Sequence, residues 1–302
     1  MRVAVTGASG LLGRALISRL SAGRISVVAG VHRSAIPATP GTEAVPLDLL
    51  DEGSISRWLD SAQSDCIVHA AAWTDVDGCE RDHERAEALN VDATRNLVRR
   101  AQLISPHASI ICLSTDYVFD GTSGPSDEDA VPSPINFYGR TKLSSEEVVL
   151  GGALQSTVIR SASFLGVGDP GRPTFAESML YQLRDHGVLR VPIDQRSNVT
   201  PVNFLADAVI EILETGASGI RHVAGSEITS RYELGIAIAG EFGFPIEQVQ
   251  GVRYAQLGRP APRPLDGGLT SRFSLRTKCP PLAAALAKWK SDLIAAGRWH
   301  DT

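Results

Sequence analysis

The chain has 302 residues, 43% hydrophobic and 21% charged, with 29 Lys and Arg against 34 Asp and Glu, a net charge of −5. These are average values for a water-soluble globular protein. A mildly acidic chain has no overall field for coating phosphate backbones, which argues against nucleic-acid binding, and no apolar run approaches the roughly 18 residues of a membrane helix.

Arg2–Thr6 reads as a strand that runs into Gly7-Ala8-Ser9-Gly10-Leu11-Leu12-Gly13, after which Leu11, Leu12, Ala15, Leu16 and Leu20 take helical spacing. This opening lacks the longer apolar stretch of a signal peptide. Strands follow at 25–31 and 44–47, and a helix at 53–61. A buried strand at 66–72 runs into small residues, and 82–103 alternates charged and apolar residues at helical period. A strand at 109–114 precedes a helix at 134–150, with Ser133 as cap and Pro134 in the first turn, and then a strand at 157–160. Strands that are continuously apolar have both faces covered. The fold class is therefore α/β, a Rossmann-type doubly wound parallel sheet.

After Arg160 the rhythm changes. A Gly/Pro-rich loop spans 166–173, helices are expected at 174–186, 203–215, 231–242 and 282–296, and a Pro-rich stretch lies at 259–264. We read residues 1–163 as a dinucleotide-binding domain, with 192–216 packing back onto it. Residues 164–302 form mainly a smaller α/β substrate-binding domain. Cys66, Cys79, Cys112 and Cys279 form no CxxC pair, and Cys66 and Cys112 lie in apolar runs that suit a core. Neither disulfides nor a metal site is expected, and the compartment that fits is a reducing cytoplasm.

Gly7, Gly10 and Gly13 form G-x-x-G-x-x-G between a strand and a helix. The first glycine permits the turn, the second lets backbone approach a pyrophosphate, and the third lets helix pack on strand. Ser9, Leu11 and Leu12 share that loop, whose helix N-terminus offers free N–H groups to phosphate. An NAD-binding chain shows a carboxylate about 20 residues on. Here the second strand ends in His32-Arg33, with no acid, and Arg33 is either a surface arginine or the partner of a 2′-phosphate. The cofactor expected is NADP (as NADPH), with NAD as the alternative. Asp48-Leu49, after the third strand, is placed to contact adenine, and Asp48 serves equally as a cap for the next helix.

Tyr138 and Lys142 are four residues apart on one helix face. A nearby ammonium favours the phenolate, which suits a tyrosine for acid–base work near neutral pH. Ser114 and Thr115 end a strand, where ligands bind. One of them is placed to hydrogen-bond a substrate carbonyl, and either also serves to satisfy backbone groups. His69 reads as a satisfied core histidine and 80–85 as a solvated face. Arg196, Asn198 and Arg263 fall in loops, placed either at a nucleotide diphosphate or simply at the surface.

Together, residues 5–13, 114–121 and 138–142 resemble the extended short-chain dehydrogenase/reductases, and more narrowly the dTDP-4-dehydrorhamnose reductase group. The resemblance extends in order over Ala70 to Asp77, Asp194-Gln195, Thr200-Pro201 and Arg263-Pro264. It implies an NADPH-dependent reductase of a nucleotide-linked 4-keto-6-deoxy sugar, with Thr115, Tyr138 and Lys142 catalytic. It places Ala70, Ala71 and Ala72 at the nicotinamide ribose, and Arg160 and Ser161 at the nicotinamide. Thr74, Val76, Asp116, Tyr117 and Ser163 fall at the sugar. Two positions depart from the group. Ser163 stands where a tryptophan commonly encloses the sugar. Ala15 stands where some members carry a metal-binding glutamate at a dimer interface, so a homodimer need not be bridged by magnesium. Two other readings remain: a sugar-nucleotide epimerase or dehydratase, and a non-catalytic NADP-binding regulatory subunit like methionine adenosyltransferase β.

Overall fold

The computed structural model describes residues 1–169 and 171–300. Pro170 of the expected Gly/Pro-rich loop, and the last two residues of the 164–302 unit, lie outside the described residues. Seven parallel strands form one sheet: β1 (Arg2–Thr6), β2 (Ser26–Val31), β3 (Thr42–Pro46), β4 (Cys66–His69), β5 (Ser109–Thr115), β6 (Ser156–Ser161) and β10 (Gly219–His222). Their order is β10-β6-β5-β4-β1-β2-β3. The chain leaves β1 toward β2 and β3 on one side and resumes at β4 on the other. That boundary is the switch point where open α/β sheets take ligands.

Alternate residues of the strands face opposite layers. Val3, Val5 and Val68 pack with Leu12, Leu16 and Leu20 of α1 (Leu11–Ala22) and with Leu205 and Val209 of α8 (Val202–Thr215). On the other face, Ala4, Ile67 and Ile110 meet Ile55, Trp58 and Leu59 of α2 (Glu52–Ala62), Leu97 of α5 (Ala93–Ile104) and Val149 of α6 (Phe137–Leu150). Each fully buried leucine or isoleucine here is worth roughly 1.5–3 kcal/mol relative to exposure.

A second core joins α7 (Phe175–His186), α9 (Arg231–Phe242) and α10 (Leu282–Ala295) through Leu180, Leu183, Ile238, Phe242 and Trp289. Two small sheets accompany it. One orders β11 (Ile228–Ser230), β9 (Arg196–Pro201) and β7 (Ser163–Leu165), and the other pairs β12 (Val249–Val252) with β8 (Leu189–Pro192). Because β7 starts two residues after β6 ends, this part is rooted at the carboxyl end of the large sheet.

The structure corrects several expectations. The helix expected at 134–150 starts at Phe137, and its cap is Asn136, whose side chain accepts from the Gly139 amide at 2.8 Å. Pro134 and Ser133 lie before it. The strand expected at 66–72 ends at His69. The helix expected at 82–103 is α4 (His83–Glu87), a π turn over Ala88–Asp92, and then α5. The turn widens at Asn90, whose carbonyl accepts hydroxyl bonds from Thr94 at 2.6 Å and Ser145 at 2.7 Å. A short helix before it, α3 (Val76–Arg81), was not expected. The helix after β3 is capped by Asp51, not by Asp48, whose side chain accepts from Leu50 in the loop.

Candidate functional site

The glycine loop fills the β1 side of the switch point. Gly7 has φ of +66°, and a Cβ there would lie 2.7 Å from the Ala71 amide nitrogen. A Cβ on Gly13 would lie 2.2 Å from the Gly7 carbonyl oxygen. Gly10 caps α1 without any side-chain bond, so the first-turn N–H groups there have no protein cap. Open donors at a positive helix end, beside a backbone that excludes side chains, suit a pyrophosphate. Arg14 braces the loop from beyond, donating to the Ser9 carbonyl at 2.9 Å and pairing with Asp169. The chain of Ala70, Ala71 and Ala72 runs alongside, tied by the Ala71 amide to the Thr6 hydroxyl at 3.3 Å.

His32 and Arg33 are exposed at the end of β2, and His32 stands 3.7 Å from Asp48. Leu49 is half-buried against the core beneath.

Thr115 ends β5, Tyr138 on α6 hydrogen-bonds it, and Lys142 lies one turn further along α6; the three are 8%, 9% and 3% exposed. Burial first, then the Asp116 carboxylate, push the Tyr138 phenol above its ordinary value, against a hydrogen bond with Thr115. The lowering expected from Lys142 does not govern the tyrosine here, because a buried phenolate beside a carboxylate is disfavoured. The Lys142 charge bears on His69 and Cys112. His69 is pushed down to about 3 by burial and then by Lys142, so it is a neutral imidazole. It bonds the Thr6 hydroxyl at 2.8 Å and the Thr94 hydroxyl at 3.0 Å. That satisfied histidine links β1, β4 and α5 under the site.

The choice between Ser114 and Thr115 is narrowed by geometry. The Ser114 hydroxyl donates to Glu146, while Thr115 Oγ1 donates to Asp116 at 3.2 Å and accepts from the Tyr117 amide at 3.2 Å. Asp116 also accepts from Ser197 at 2.7 Å, and burial pushes its carboxyl up. The Tyr117 and Tyr138 rings meet edge to face, with centroids 6.0 Å apart.

Several predicted ligands have other partners. The Arg160 guanidinium is buried on Glu146 with a 2.6 Å contact through Nη2, while its Nη1 has no hydrogen-bond partner among the described residues. Ser161 is buried beside it, at the Thr115 register. Arg263 pairs with Asp77 and donates to the Ala261 carbonyl at 2.7 Å. Asn198 bonds the Gly225 carbonyl and the Leu269 amide, both at 2.7 Å. Arg196 and Asn198 lie on β9 and not in the loop expected for them, and Arg196 is exposed. Thr74 is exposed and Val76 half-buried, at the turn into α3. Ser163 accepts a 2.6 Å bond from Arg231.

Three residues were missed. Asn90 bridges the Trp73 backbone and the Thr141 hydroxyl, the latter at 3.0 Å, and so joins the loop after β4 to the helix of Tyr138. Glu80 was read as part of a solvated face, but it accepts from the Phe137 amide at 2.8 Å and holds the start of α6. Arg231 is the third. None is near its partners in sequence, so no local pattern marks it.

A family model described as RmlD substrate binding domain matches residues 1–296. The chain is 32% identical over 271 residues to methionine adenosyltransferase 2 subunit beta of Pongo abelii, covering 87% of this chain and 78% of that protein. It is 31% identical over 309 residues to dTDP-4-dehydrorhamnose reductase of Mycobacterium tuberculosis, covering 98% and 92%. The crystal structure of a hypothetical dTDP-4-dehydrorhamnose reductase from Sulfolobus tokodaii superposes with a TM-score of 0.79 at 34% identity, covering 92% and 96%.

Proposed function

The chain belongs to the RmlD substrate binding domain family, and on that premise we propose that it is an NADPH-dependent reductase of a dTDP-linked 4-keto-6-deoxy sugar. The observation that carries the reading is the hydrogen-bonded pair of Thr115 and Tyr138, with Lys142 buried one turn along the same helix, in a chain whose glycine loop is too tight for side chains. Similarity to named reductases over nearly the whole chain supports it.

The cradle fits a dinucleotide. The Gly7–Gly13 turn and the uncapped start of α1 would hold the pyrophosphate, Arg33 and His32 the 2′-phosphate, and Ala70, Ala71 and Lys142 the nicotinamide ribose. NADPH supplies hydride for the C4 carbonyl. Thr115 Oγ1 donates to the carbonyl oxygen and orients it. Tyr138 Oη donates the proton that the developing alkoxide needs. A raised phenol pKa keeps that proton on the oxygen until the alkoxide forms. The Thr115 hydrogen bond to Tyr138 favours the phenolate left behind, and Lys142 would hold the nicotinamide ribose. Burial keeps water from competing for these bonds.

Incubation with NADPH and a dTDP-4-keto-6-deoxyhexose tests the reading: nicotinamide oxidation matched by alcohol product supports it. A regulatory subunit is the second reading, favoured by the similarity to methionine adenosyltransferase 2 subunit beta. It predicts copurification with a second chain and an activity of that partner that Tyr138→Phe leaves unchanged. An epimerase or dehydratase would copurify with tightly held NAD and show no net turnover, which the missing carboxylate after β2 argues against.

A further inference from the structure

The corner beyond Thr115, where β6 runs into β7, carries a charged group that the catalytic scheme does not use. Arg231 opens α9, and its Nη2 donates to Ser163 Oγ at 2.6 Å. Its guanidinium carbon sits 4.6 Å from the centre of the Phe175 ring. Register places this corner beside the reacting groups. Thr115 pairs with Ser161 across β5 and β6, and Ser163 follows two residues on. Ser163 pairs with Val199 on β9, two residues from Ser197, which bonds Asp116.

Two other arginines near this corner are neutralised, Arg160 by Glu146 and Arg263 by Asp77, while Arg196 is exposed at the start of β9. Among the described residues, no carboxylate stands at ion-pair distance from Arg231, and its side-chain hydrogen bond to Ser163 uses one of five N–H donors. Its charge favours the ionised forms of Asp116 and Tyr117. A cation at the first turn also opposes the α9 dipole, so helix stability does not explain the residue. The Phe175 ring and the Ser163 hydroxyl fix a planar fork that matches paired oxygens.

We propose that Arg231 is an oxyanion-binding residue of the substrate cleft, taking an anionic oxygen of the substrate: a diphosphate oxygen or a carboxylate on the sugar. The assignment rests on reading the cleft as a nucleotide-sugar site. It adds a specificity determinant that Ser163 and Phe175 hold in place. If the source is the diphosphate, Arg231 sets affinity for every nucleotide sugar. If it is a sugar carboxylate, Arg231 selects acidic nucleotide sugars in place of the 6-deoxy sugar, whose C6 methyl group offers no such oxygen.

Calorimetric titration of the full chain with dTDP, dTDP-glucose and dTDP-glucuronate separates the sources, using Arg231→Met, Arg231→Gln and Arg231→Lys. Nicotinamide cofactor binding by each variant reports folding of the other half of the cleft. Equal 10- to 100-fold weakening of all three ligands by Met and Gln, partly restored by Lys, assigns the diphosphate. Weakening confined to dTDP-glucuronate assigns the sugar carboxylate. Unchanged affinities in the folded variants overturn the proposal while leaving the nucleotide-sugar reading intact. Failure of the wild-type chain to bind any of the three ligands overturns both.

Discussion

Glu146 on α6 holds Arg160 on β6 through three hydrogen bonds of 2.6 to 3.2 Å, with both side chains 2% exposed. Glu146 lies one turn beyond Lys142 and also takes the Ser114 hydroxyl next to Thr115. Glu146 therefore ties the tyrosine–lysine helix to β6 through Arg160 and, through Ser114, to β5, the strand that carries the threonine. Removing one partner leaves a buried charge alone, which costs about 3–5 kcal/mol. Glu146→Leu and Arg160→Met should each lose stability on that scale by urea denaturation. The double variant should be more stable than either single one. Losses below about 1 kcal/mol in the single variants would show that the pair does not hold the site together.

Gly13 leaves no room for a methyl group, since its neighbours there are backbone atoms. Gly13→Ala should cost about 1–3 kcal/mol by overpacking and should abolish dinucleotide binding measured by fluorescence quenching. Binding at wild-type affinity would dissociate the loop from the cofactor.

His69 gives the fold an acid sensitivity. Its folded pKa, about 3, lies below the unfolded value of 6.5, so the unfolded chain binds the extra proton. The stabilisation is full above pH 6.5 and is lost as pH falls through the interval toward 3. Between pH 7 and pH 5 the loss from this group is about 2 kcal/mol. His69→Gln should flatten that limb of the stability curve. An unchanged slope would contradict the buried neutral imidazole.

Arg33 is the residue on which the choice of NADPH rests. Arg33→Ser should raise the KM for NADPH by about 10- to 100-fold, as loss of a charge-assisted phosphate bond implies, with little change for NADH. Equal changes for both cofactors would place Arg33 away from the 2′-phosphate.

Much of this was legible because it is local. The glycine spacing follows a strand and precedes a helix within a dozen residues, and Tyr138 and Lys142 share one face by spacing alone. The continuously apolar strands announce a sheet covered on both sides, and the structure shows one. The start of α6 was misread because Ser133-Pro134 imitates a helix start, while the cap that forms is Asn136, stabilised by Gly139 packing against the Tyr117 carbonyl. The small strands β7 to β9, β11 and β12 have three to six residues each and too little pattern to see. The roles of Asn90, Glu146 and Arg231 depend on partners from 14 to 68 residues away, and no spacing rule reaches that far.

The central claim is that Tyr138 delivers the proton for ketone reduction, and the direct measurement is NADPH oxidation with a panel of dTDP-4-keto sugars by wild type and Tyr138→Phe in parallel. The account predicts turnover by the wild type and a kcat lower by about 10²- to 10⁴-fold in the variant, with NADPH affinity retained. Wild-type protein that binds NADPH but oxidises it with none of the sugars, or a Phe variant that turns over at the wild-type rate, would contradict it.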